Sequence, residues 1–590
     1  MTEGVTDDDA PRPLRARLAR LLPTRSGRFG LPFVLVAVWL VMLLLLPSRP
    51  LASPTSASGG AGGPGNPSGL VPAAAPGVAS ATSPTAPAAT GPATTVAGGA
   101  RGPGGVAAGV SRGGVTCGPG VRQVPGDSYS APCVPAFTGS NGGATARGVT
   151  ATTIRVVFRS FPDSANSQAV NAVVAQAGGA DQKTVRAVRQ KIIEEFERRY
   201  ELYGRHVEWI DYVSRYGDET QETEGKGREG ACLDAEVVAN ELHAFAVIGD
   251  KGAVSKPFTE CAAQRGVVVL DGASYASEKF YADRNPYVWA VIMDCERINY
   301  QVAEYVAKRL DKHPARWAGD PALAKQMRKF GVYTPVGDGE DDTCTNISNA
   351  EAARYGYDES SRYEYVLDVS RFPDEAARGA IQLKRDGVTT VVMAADPISM
   401  IFLTQSATAQ GWHPEWFLIG IILTDVDNAA RLYDQTQVDG HMFGMSQLGA
   451  TSKLIGPLGE PGRLYQRVTG QQIPPGTDGQ FYEMTHSYNL LQAAGPILTP
   501  QNLAAGAFAL PPSGAPDYAA GYWSFQDGPD GTPGAHDHTE VDDSREVYWR
   551  DDVRSPNDGK AGTFIETYGG RRFRNGEWPT EEPPVYPERR

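Results

Sequence analysis

The chain has 590 residues and a formal net charge of −13. Its length allows about three or four domains, but the first 150 residues, rich in Ala, Gly, Pro and Ser, are mostly not globular in composition. The acidic balance argues against nucleic acid as the main partner, because binding to a phosphate backbone needs a surplus of Lys and Arg.

The N-terminal 46 residues have the pattern of a membrane anchor. Residues 1–28 carry six arginines and are predicted to form a cytoplasmic tail, whereas residues 29–46 (FGLPFVLVAVWLVMLLLL) are apolar and uncharged. At 1.5 Å per residue this run extends about 27 Å, which is close to one hydrocarbon core. The arginines before it place the N-terminus in the cytoplasm and the rest outside. A cleaved signal peptide, cut near Thr55 to Ser58, is the alternative.

A spacer follows the predicted membrane segment. Residues 47–114 consist mainly of Ala, Gly, Pro, Ser and Thr with almost no charge. Such a composition cannot bury a core, so we expect a disordered linker. Residues 115–147 form a lead-in segment with two cysteines.

All six cysteines lie on the predicted outer side of the membrane, where disulfides persist. Six cysteines allow fifteen pairings. The sequential pairing is favoured, and a zinc site is the competing use. Because no two cysteines stand at C-x-x-C spacing, we expect no metal. We expect no cofactor either. The favoured disulfides are Cys117–Cys133, Cys232–Cys261 and Cys295–Cys344.

From residue 154 onwards, predicted strands alternate with predicted helices in two successive blocks, which indicates two similar α/β lobes. In the first block we predict strands at 154–159, 207–213, 244–249, 266–271 and 287–293, and helices at 183–200, 229–242 and 297–310. In the second block we predict strands at 329–333, 363–369, 389–394 and 416–422, and helices at 346–355, 374–385 and 398–410.

The stretch 244–272 predicts a βαβ unit, whose two strands should be parallel with a right-handed crossover. Ligands bind at the carboxyl ends of strands in open parallel sheets. Here these ends are Gly249–Gly252 and Asp271–Tyr275, which are small and polar. Each of the two loops has the alternative reading of a simple turn.

The chain after residue 442 is predicted to cross back, with an aromatic-rich helix at 479–494 and short strands at 521–525 and 546–549. The run His536–Asp543 is acidic and has two histidines, but its Gly- and Pro-rich setting predicts an exposed turn rather than a cation site. Residues 551–590 are rich in Pro, Asp and Arg and are expected to be a surface tail.

Several segments match one family in order. The chain resembles a type I periplasmic substrate-binding protein of the branched-chain amino acid ABC-transporter group over about residues 148–549. The matching segments are GVTATTIRVVF (148–158), CLDAEVVANEL with AFAVIG (232–249), GVVVLDGASYASE (266–278), DGVTTVVMAADPISMIFLTQSATAQGWHPEWFLIG (386–420) and FYEMTHSYNLLQAAGPILTPQNLAAGAF (481–508).

The resemblance implies one two-lobed α/β domain over 148–550, with mostly parallel sheets flanked by helices and hinge closure on a ligand. It places 148–293 and 424–447 in the first lobe, and 294–423 and 448–550 in the second. The crossovers would then fall near 293–294, 423–424 and 447–448.

In the first lobe the matching binding loops follow two strands. Residues Gly252 to Ser255 would offer backbone N–H groups and the Ser255 hydroxyl to a carboxylate. Ala273 and Ser274 would do the same from the next loop, and Tyr275 would add an aromatic contact. The alternative for each residue is a polar turn or surface packing.

In the second lobe the matching loop runs from Tyr333 to Asp338. Asp396 stands where the family often has an aromatic lid residue, and Asp425 stands where the family can hold an ammonium group. A free amino acid needs donors for its carboxylate and an acid for its ammonium, so Ser274 with Asp425 is the simplest pair. The alternative for Asp425 is a helix cap.

Two departures from the family pattern leave the ligand open. Residues 160–181 are longer than the family's loop and could line or cover the cleft, and Asp396 replaces an aromatic residue. We therefore do not assign a branched-chain amino acid as the ligand.

The sequence predicts a binding protein and not an enzyme. It contains no HExxH motif and no phosphate loop, and Gly444–Gly449 has one residue too many for a nucleophile elbow. We expect a membrane-anchored extracytoplasmic protein that captures an amino acid or related polar metabolite for an ABC permease. The alternative is a cell-surface sensor or assembly module with the same fold and no transport role.

Overall fold

The computed structural model describes residues 109–250, 252–336, 341–447, 456–514 and 521–587. The predicted cytoplasmic tail (1–28), the predicted membrane helix (29–46) and most of the linker (47–108) lie outside the described residues. Within those ranges, no helix combines the length and apolarity that a membrane crossing requires.

The first lobe is built on four parallel strands in the order β2-β1-β3-β4. They are β1 (Thr153–Ser160), β2 (His206–Val213), β3 (Ala246–Gly249) and β4 (Val268–Val269). The strands are rich in Val and Ile because helices cover both faces of the sheet.

Five helices, together with a short helix at Glu219–Thr223, follow the strands of the first lobe. Asp181 begins α2 by accepting a hydrogen bond from the Thr184 N–H, and the i, i+4 spacing of Val188, Ile192 and Phe196 turns one face of this helix to the core. The helices are α1 (Ala165–Gln176), α2 (Gln182–Arg199), α3 (Arg228–Glu236, continued by a π-helical turn Val237–Glu241), α4 (Lys256–Gln264) and α5 (Glu278–Ala282).

The second lobe has an eight-stranded mixed sheet in the order β11-β10-β9-β8-β7-β5-β6, with β12 also paired to β10. Its parallel part is β5 (Phe330–Pro335), β6 (Glu359–Tyr365), β7 (Thr390–Met393), β8 (Glu415–Leu418) and β9 (Met442–Ser446). Its antiparallel part is β10 (Ser544–Arg554), β11 (Ala561–Glu566) and β12 (Arg572–Phe573).

Helices flank this sheet as well, which confirms the expected two-lobed α/β architecture. They are α6 (Cys295–Tyr305, continued by a π-helical turn Val306–Leu310), α7 (Asp341–Tyr355), α8 (Phe372–Arg385), α9 (Pro397–Ala409) and the short helices Asp427–Ala430 and Gln435–Val438.

The predicted division between the lobes is wrong after residue 423. Residues 424–447 were expected in the first lobe, but β9 pairs with β8 in the second sheet, with Trp416 opposite Met442. Conversely, three helices within 448–550 belong to the first lobe, because Leu464, Phe481 and Leu503 pack into its core. These helices are α10 (Glu460–Thr469), α11 (Gly479–Ala493) and α12 (Pro500–Ala509).

The C-terminal residues are not a surface tail, contrary to the prediction for 551–590. Strand β11 pairs along β10, and Trp549 and Phe564 join the core of the second lobe. Farther on, Trp578 is buried, and the Tyr586 hydroxyl donates to the Met442 carbonyl oxygen at 2.5 Å. The charged and Pro-rich composition gives no sign of this role in the core, because the polar residues lie between the buried aromatic ones.

Within the described residues the chain crosses between the lobes at Ala290–Asp294 and at Trp523–Asp543. It also passes from β9 in the second lobe to α10 in the first. The expected crossing near 423–424 does not exist, since β8 and β9 are neighbours in one sheet. The predicted strand at 287–293 makes single bridges, from Val288 to Val269 and from Ala290 to Thr539.

The three predicted disulfides are confirmed, with Cα–Cα distances of 5.2, 5.1 and 5.7 Å in chain order. Cys232–Cys261 joins α3 to α4, and Cys295–Cys344 joins α6 to α7. Cys117–Cys133 closes the lead-in segment, whose strand Thr116–Cys117 pairs with Gly109–Val110. The end of the expected disordered linker therefore belongs to the ordered structure.

Candidate functional site

Two loops at the carboxyl ends of strands meet across the lobes. One loop, Asp271–Tyr275, follows β4 in the first lobe, and the other, Ile419–Asp425, follows β8 in the second. The Ile422 backbone N–H donates a hydrogen bond to the Tyr275 hydroxyl at 2.8 Å. The Tyr275 ring also packs against the core of the second lobe. Tyr275 therefore links the lobes where a ligand cleft is expected.

The backbone of both loops is held in an unusual conformation. Ala273, Tyr275, Ile422 and Leu423 have φ values of 51°, 63°, 49° and 64°, in the left-handed region. This region disfavours side chains, and β-branched Ile most of all. Residues persist there only when their surroundings fix them, and such positions cluster at binding sites.

Asp425 is a buried carboxyl at the end of the second-lobe loop, with 1% of its surface exposed. Burial raises its pKa, while a hydrogen bond with the Ser446 side chain acts in the opposite direction. Its Oδ2 atom has no hydrogen-bond partner among the described residues. Because a buried polar atom without a partner destabilises the fold, such an oxygen is a candidate acceptor for a donor from outside the chain.

Asp396 is engaged by its own chain. Its Oδ1 atom accepts the N–H groups of Ile398 and Ser399 at 2.8 and 2.9 Å, so it begins α9 as an N-cap. Its Oδ2 atom accepts the Tyr365 hydroxyl at 2.6 Å. These contacts give Asp396 a structural role, and they do not support the predicted ligand role.

Ser255 is likewise engaged within the first lobe. Its hydroxyl donates to Glu222 at 2.6 Å and accepts the Phe258 N–H at the start of α4. Glu222 in turn pairs with Arg159 at 2.7 Å, and both side chains are fully buried. Gly252 lies on the exposed surface of the same loop, with φ of 80°.

The remaining predicted site residues differ in their exposure to solvent. Ala273 is buried and uses its N–H to bond the Val254 carbonyl oxygen at 2.9 Å, whereas Ser274 is exposed. Tyr333 is buried, with its ring centroid 4.5 Å from that of Tyr365. Asp338 lies outside the described residues. Of the predicted set, the loop contact thus brings together only the neighbourhoods of Ser274, Tyr275 and Asp425.

The long segment 160–181 forms α1 at the edge where the strands end. No residue of this helix is buried, and none carries a charge. The Asn166 side-chain oxygen accepts the Val369 N–H of the second lobe at 3.4 Å. Since Val369 follows β6 at the same edge of its own sheet, α1 reaches from one lobe to the other.

Sequence reasoning missed the most polar buried region. His536–Asp543 was expected to be an exposed turn, yet Asp537, Thr539 and Asp542 are fully buried. The signal that could have found it is the apolar context, since Trp523 and Phe525 precede this run and Val541 lies within it. The described residues contain no cluster of His, Cys, Asp and Glu that could hold a metal ion.

No protein-family model matches the chain, and no curated protein matches it. Many of the solved structures similar to it are substrate-binding proteins of branched-chain amino acid ABC transporters. These neighbours are binding proteins and not enzymes.

Three neighbours illustrate the range of these similarities. The branched-chain amino acid transporter substrate-binding protein LivJ from Streptococcus pneumoniae, in complex with isoleucine, is 14% identical, covering 70% of this chain and 100% of its own, with a TM-score of 0.46. A periplasmic binding protein from Burkholderia mallei is 10% identical over 72% and 96%, with a TM-score of 0.49. A solute-binding protein from R. palustris, in complex with 4-hydroxybenzoate, is 12% identical over 72% and 98%, with a TM-score of 0.44.

Proposed function

We propose that the chain is an extracytoplasmic solute-binding protein that captures a small ligand between its lobes for ABC-type uptake. The observation that carries this proposal is the meeting of the two strand-end loops at Tyr275 and Ile422, beside a buried carboxyl, Asp425. Fold alone does not assign a function, so the proposal depends on the site.

The ligand that fits is a small polar molecule with a cationic group, such as an amino acid. Asp425 would accept hydrogen bonds from its ammonium, and the exposed Ser274 would donate to its carboxylate. A group that satisfies the Asp425 oxygen in a buried setting would contribute more than the same contact in water.

A thermal-shift screen of the full chain against amino acids, amides and small organic acids tests this function. At one hundred times its dissociation constant a ligand adds about 2.7 kcal/mol of stability. Asp425→Asn should keep the fold and lose the shift for cationic ligands. Asp374→Asn, at an exposed position of α8, is the matched control and should keep it. A folded protein that no compound stabilises would contradict the proposal.

We further propose that residues 29–46 anchor the protein in the cell membrane, with the binding domain outside. The arginine-rich tail and the uncharged apolar run support this orientation. Membrane fractionation, with N-terminal sequencing of the mature protein, distinguishes an anchor from a cleaved signal. A mature N-terminus near Thr55 to Ser58 would contradict the anchor.

The second candidate is a surface sensor or assembly module without transport. Two contacts favour it, because Tyr275 and Asn166 both join the lobes across the expected entrance. In that case the chain would not co-purify with a permease. Co-purification that depends on residues 148–550 would support transport instead.

A further inference from the structure

Two of the crossing segments run side by side and form a hinge. The Ala290 N–H donates to the His538 carbonyl oxygen at 3.0 Å, and the Val541 N–H donates to the Val291 carbonyl oxygen at 3.0 Å. The Thr539 hydroxyl donates to Asp294 at 3.2 Å. Any rotation of one lobe against the other bends these segments together.

One guanidinium group serves several carboxyls at this hinge. Arg297 of α6 contacts Asp537, lies 3.2 Å from Asp542 and lies 3.9 Å from Asp294. All four side chains are at most 1% exposed. Among the described residues, neither carboxyl oxygen of Asp542 has a hydrogen-bond partner, and Asp537 has a partner at only one of its two carboxyl oxygens. One positively charged guanidinium group therefore faces three buried carboxyl groups.

Two further carboxyls lie at the seam between the lobes. Glu278 of α5 belongs to the first lobe, and Glu296 of α6 belongs to the second. The Glu278 backbone N–H donates to the Glu296 carboxyl at 2.6 Å, and the Glu278 carboxyl lies 2.7 Å from the His538 ring nitrogen Nδ1. Opening of the lobes would separate these groups and admit water.

The charge state of the seam is set by burial. Burial, with Asp294 nearby, raises the pKa of Glu278 to about 8 and that of Glu296 to about 7. Burial also lowers the pKa of His538 to about 4, so this histidine supplies no positive charge at neutral pH. The titratable and charged groups around the two glutamates are Asp294, Arg297, Asp537, His538, Tyr281 and Tyr300. Together with the two glutamates, and with Asp542, which faces Arg297, they are called the hinge cluster.

We propose that the hinge cluster is a proton-controlled switch, which holds the lobes closed at acidic to neutral pH and favours their opening as the pH rises. In the closed protein Glu278 and Glu296 keep their protons, because burial disfavours the ionised carboxyl groups and because Asp294 lies nearby. In the open protein, water stabilises their ionised forms. This inference rests on the proposed function only in taking the lobes to move.

The test measures the distance between the lobes in the full chain without ligand. Spin labels at Ala187→Cys on α2 and Ile381→Cys on α8 occupy exposed positions, and the native cysteines are all in disulfides. Double electron–electron resonance from pH 5 to pH 9 should show the open-to-closed ratio rising about tenfold per pH unit for each linked proton. The rise should level off above about pH 8, where both glutamates are ionised.

Glutamine variants separate the switch from a general pH effect. Glu278→Gln and Glu296→Gln should each reduce the pH slope by one proton, and the double variant should show the smallest slope. Gln can keep both hydrogen bonds of Glu278 to His538. Glu229→Gln, at an exposed position of α3, should leave the slope unchanged.

Each outcome decides the inference. A distance that does not change with pH in the unmodified chain overturns it, and so does a full slope in the folded double variant. If near-UV circular dichroism shows that Glu278→Gln does not fold, Glu296→Gln, which is 9% exposed, carries the test alone. Because no ligand is present, a failed ligand screen leaves these results unaffected.

Discussion

Asp396 and Asp425 are both buried aspartates at the ends of second-lobe strands, yet their surroundings differ. Asp396 receives two backbone N–H groups and the Tyr365 hydroxyl, whereas one Asp425 oxygen receives nothing among the described residues. Their sequence settings, Ala-Asp-Pro and Thr-Asp-Val, do not reveal this difference. It depends on which helix begins at the residue and which tyrosine reaches it.

Asp396→Ala should destabilise the protein without affecting ligand binding. Loss of the cap costs about 1 kcal/mol, and the buried Tyr365 O–H loses its acceptor, which adds about 1–3 kcal/mol. Urea unfolding measures the free energy, and Asp374→Ala on the exposed surface of α8 should change it by less than about 0.5 kcal/mol. Loss of the ligand-induced thermal shift in folded Asp396→Ala protein would show that Asp396 belongs to the site.

Tyr275→Phe should weaken the contact between the lobes. The Ile422 N–H would lose its acceptor, which costs about 1–3 kcal/mol if it stays buried, while the ring keeps its packing. We expect a lower unfolding free energy and a broader inter-lobe distance distribution. Tyr216→Phe is the control, since Tyr216 is 53% exposed. Equal effects of the two substitutions would exclude a role of the Tyr275 hydroxyl in holding the lobes.

At the scale of elements, α1 stands apart because it contributes nothing to the core. Its uncharged sequence, with alanines and valines left on the surface, is unusual for a helix without buried residues. Its bonds, from Ser164 to Glu219 and from Asn166 to Val369, tie its start to both lobes. This pattern fits a cover over the cleft edge.

Replacing residues 163–178 with a short Gly-Ser linker should leave the stability nearly unchanged and speed the exchange of ligand. The reason is that no buried contact is lost while the bond to Val369 disappears. Stopped-flow dissociation measures the exchange, and urea unfolding checks the stability. An unchanged dissociation rate would remove α1 from the entry path.

Most helices and parallel strands could be predicted because apolar periodicity marks them, although the bounds of β6, α7 and β8 differ by four or five residues and α1 and β9 were not predicted. The division into lobes could not, because β9 and α11 are both apolar and nothing local says which sheet each one joins. Among the C-terminal strands, the predicted strand at 546–549 lies within β10, but the full length of β10 and the strands β11 and β12 were missed. Charged residues occupy the outer end of β10, so only its Val-Tyr-Trp run indicates burial. For the site, the strand-end loops were predicted, but the hydrogen-bond partners of Ser255 and Asp396 come from distant parts of the chain.

At the scale of the whole molecule, the free energy of unfolding should fall between pH 5 and pH 8. Burial raises the pKa of Asp127 to about 7, and also those of Glu278 and Glu296. The folded state then binds more protons than the unfolded state above about pH 4.5, so stability is lost as the pH rises towards these values. Each proton accounts for about 1.4 kcal/mol per pH unit at most.

Urea unfolding at several pH values measures this fall. The triple variant Asp127→Asn, Glu278→Gln, Glu296→Gln should reduce it, and the fall that remains comes from other buried carboxyls such as Asp425 and Asp542, whose pKa values burial also raises. Below pH 4 the trend should reverse. Although burial acts against it, hydrogen bonds from Arg159, Ser214 and Tyr212 hold the pKa of Asp234 below its usual value. Stability that rises steadily from pH 5 to pH 8 would contradict the assignment.

The positions of α12 and β10–β12 determine when the protein can fold during synthesis. The first lobe has all four strands after residue 269, but α2 covers this face of its sheet only in part until α11 and α12 emerge, roughly ten seconds or more later at ordinary translation rates. Folding of the second lobe is delayed further, since Trp578 and Tyr586, near the end of the sequence, complete its core. An incomplete chain therefore exposes two hydrophobic sheets at once, which makes nascent and truncated forms dependent on chaperones and open to proteases.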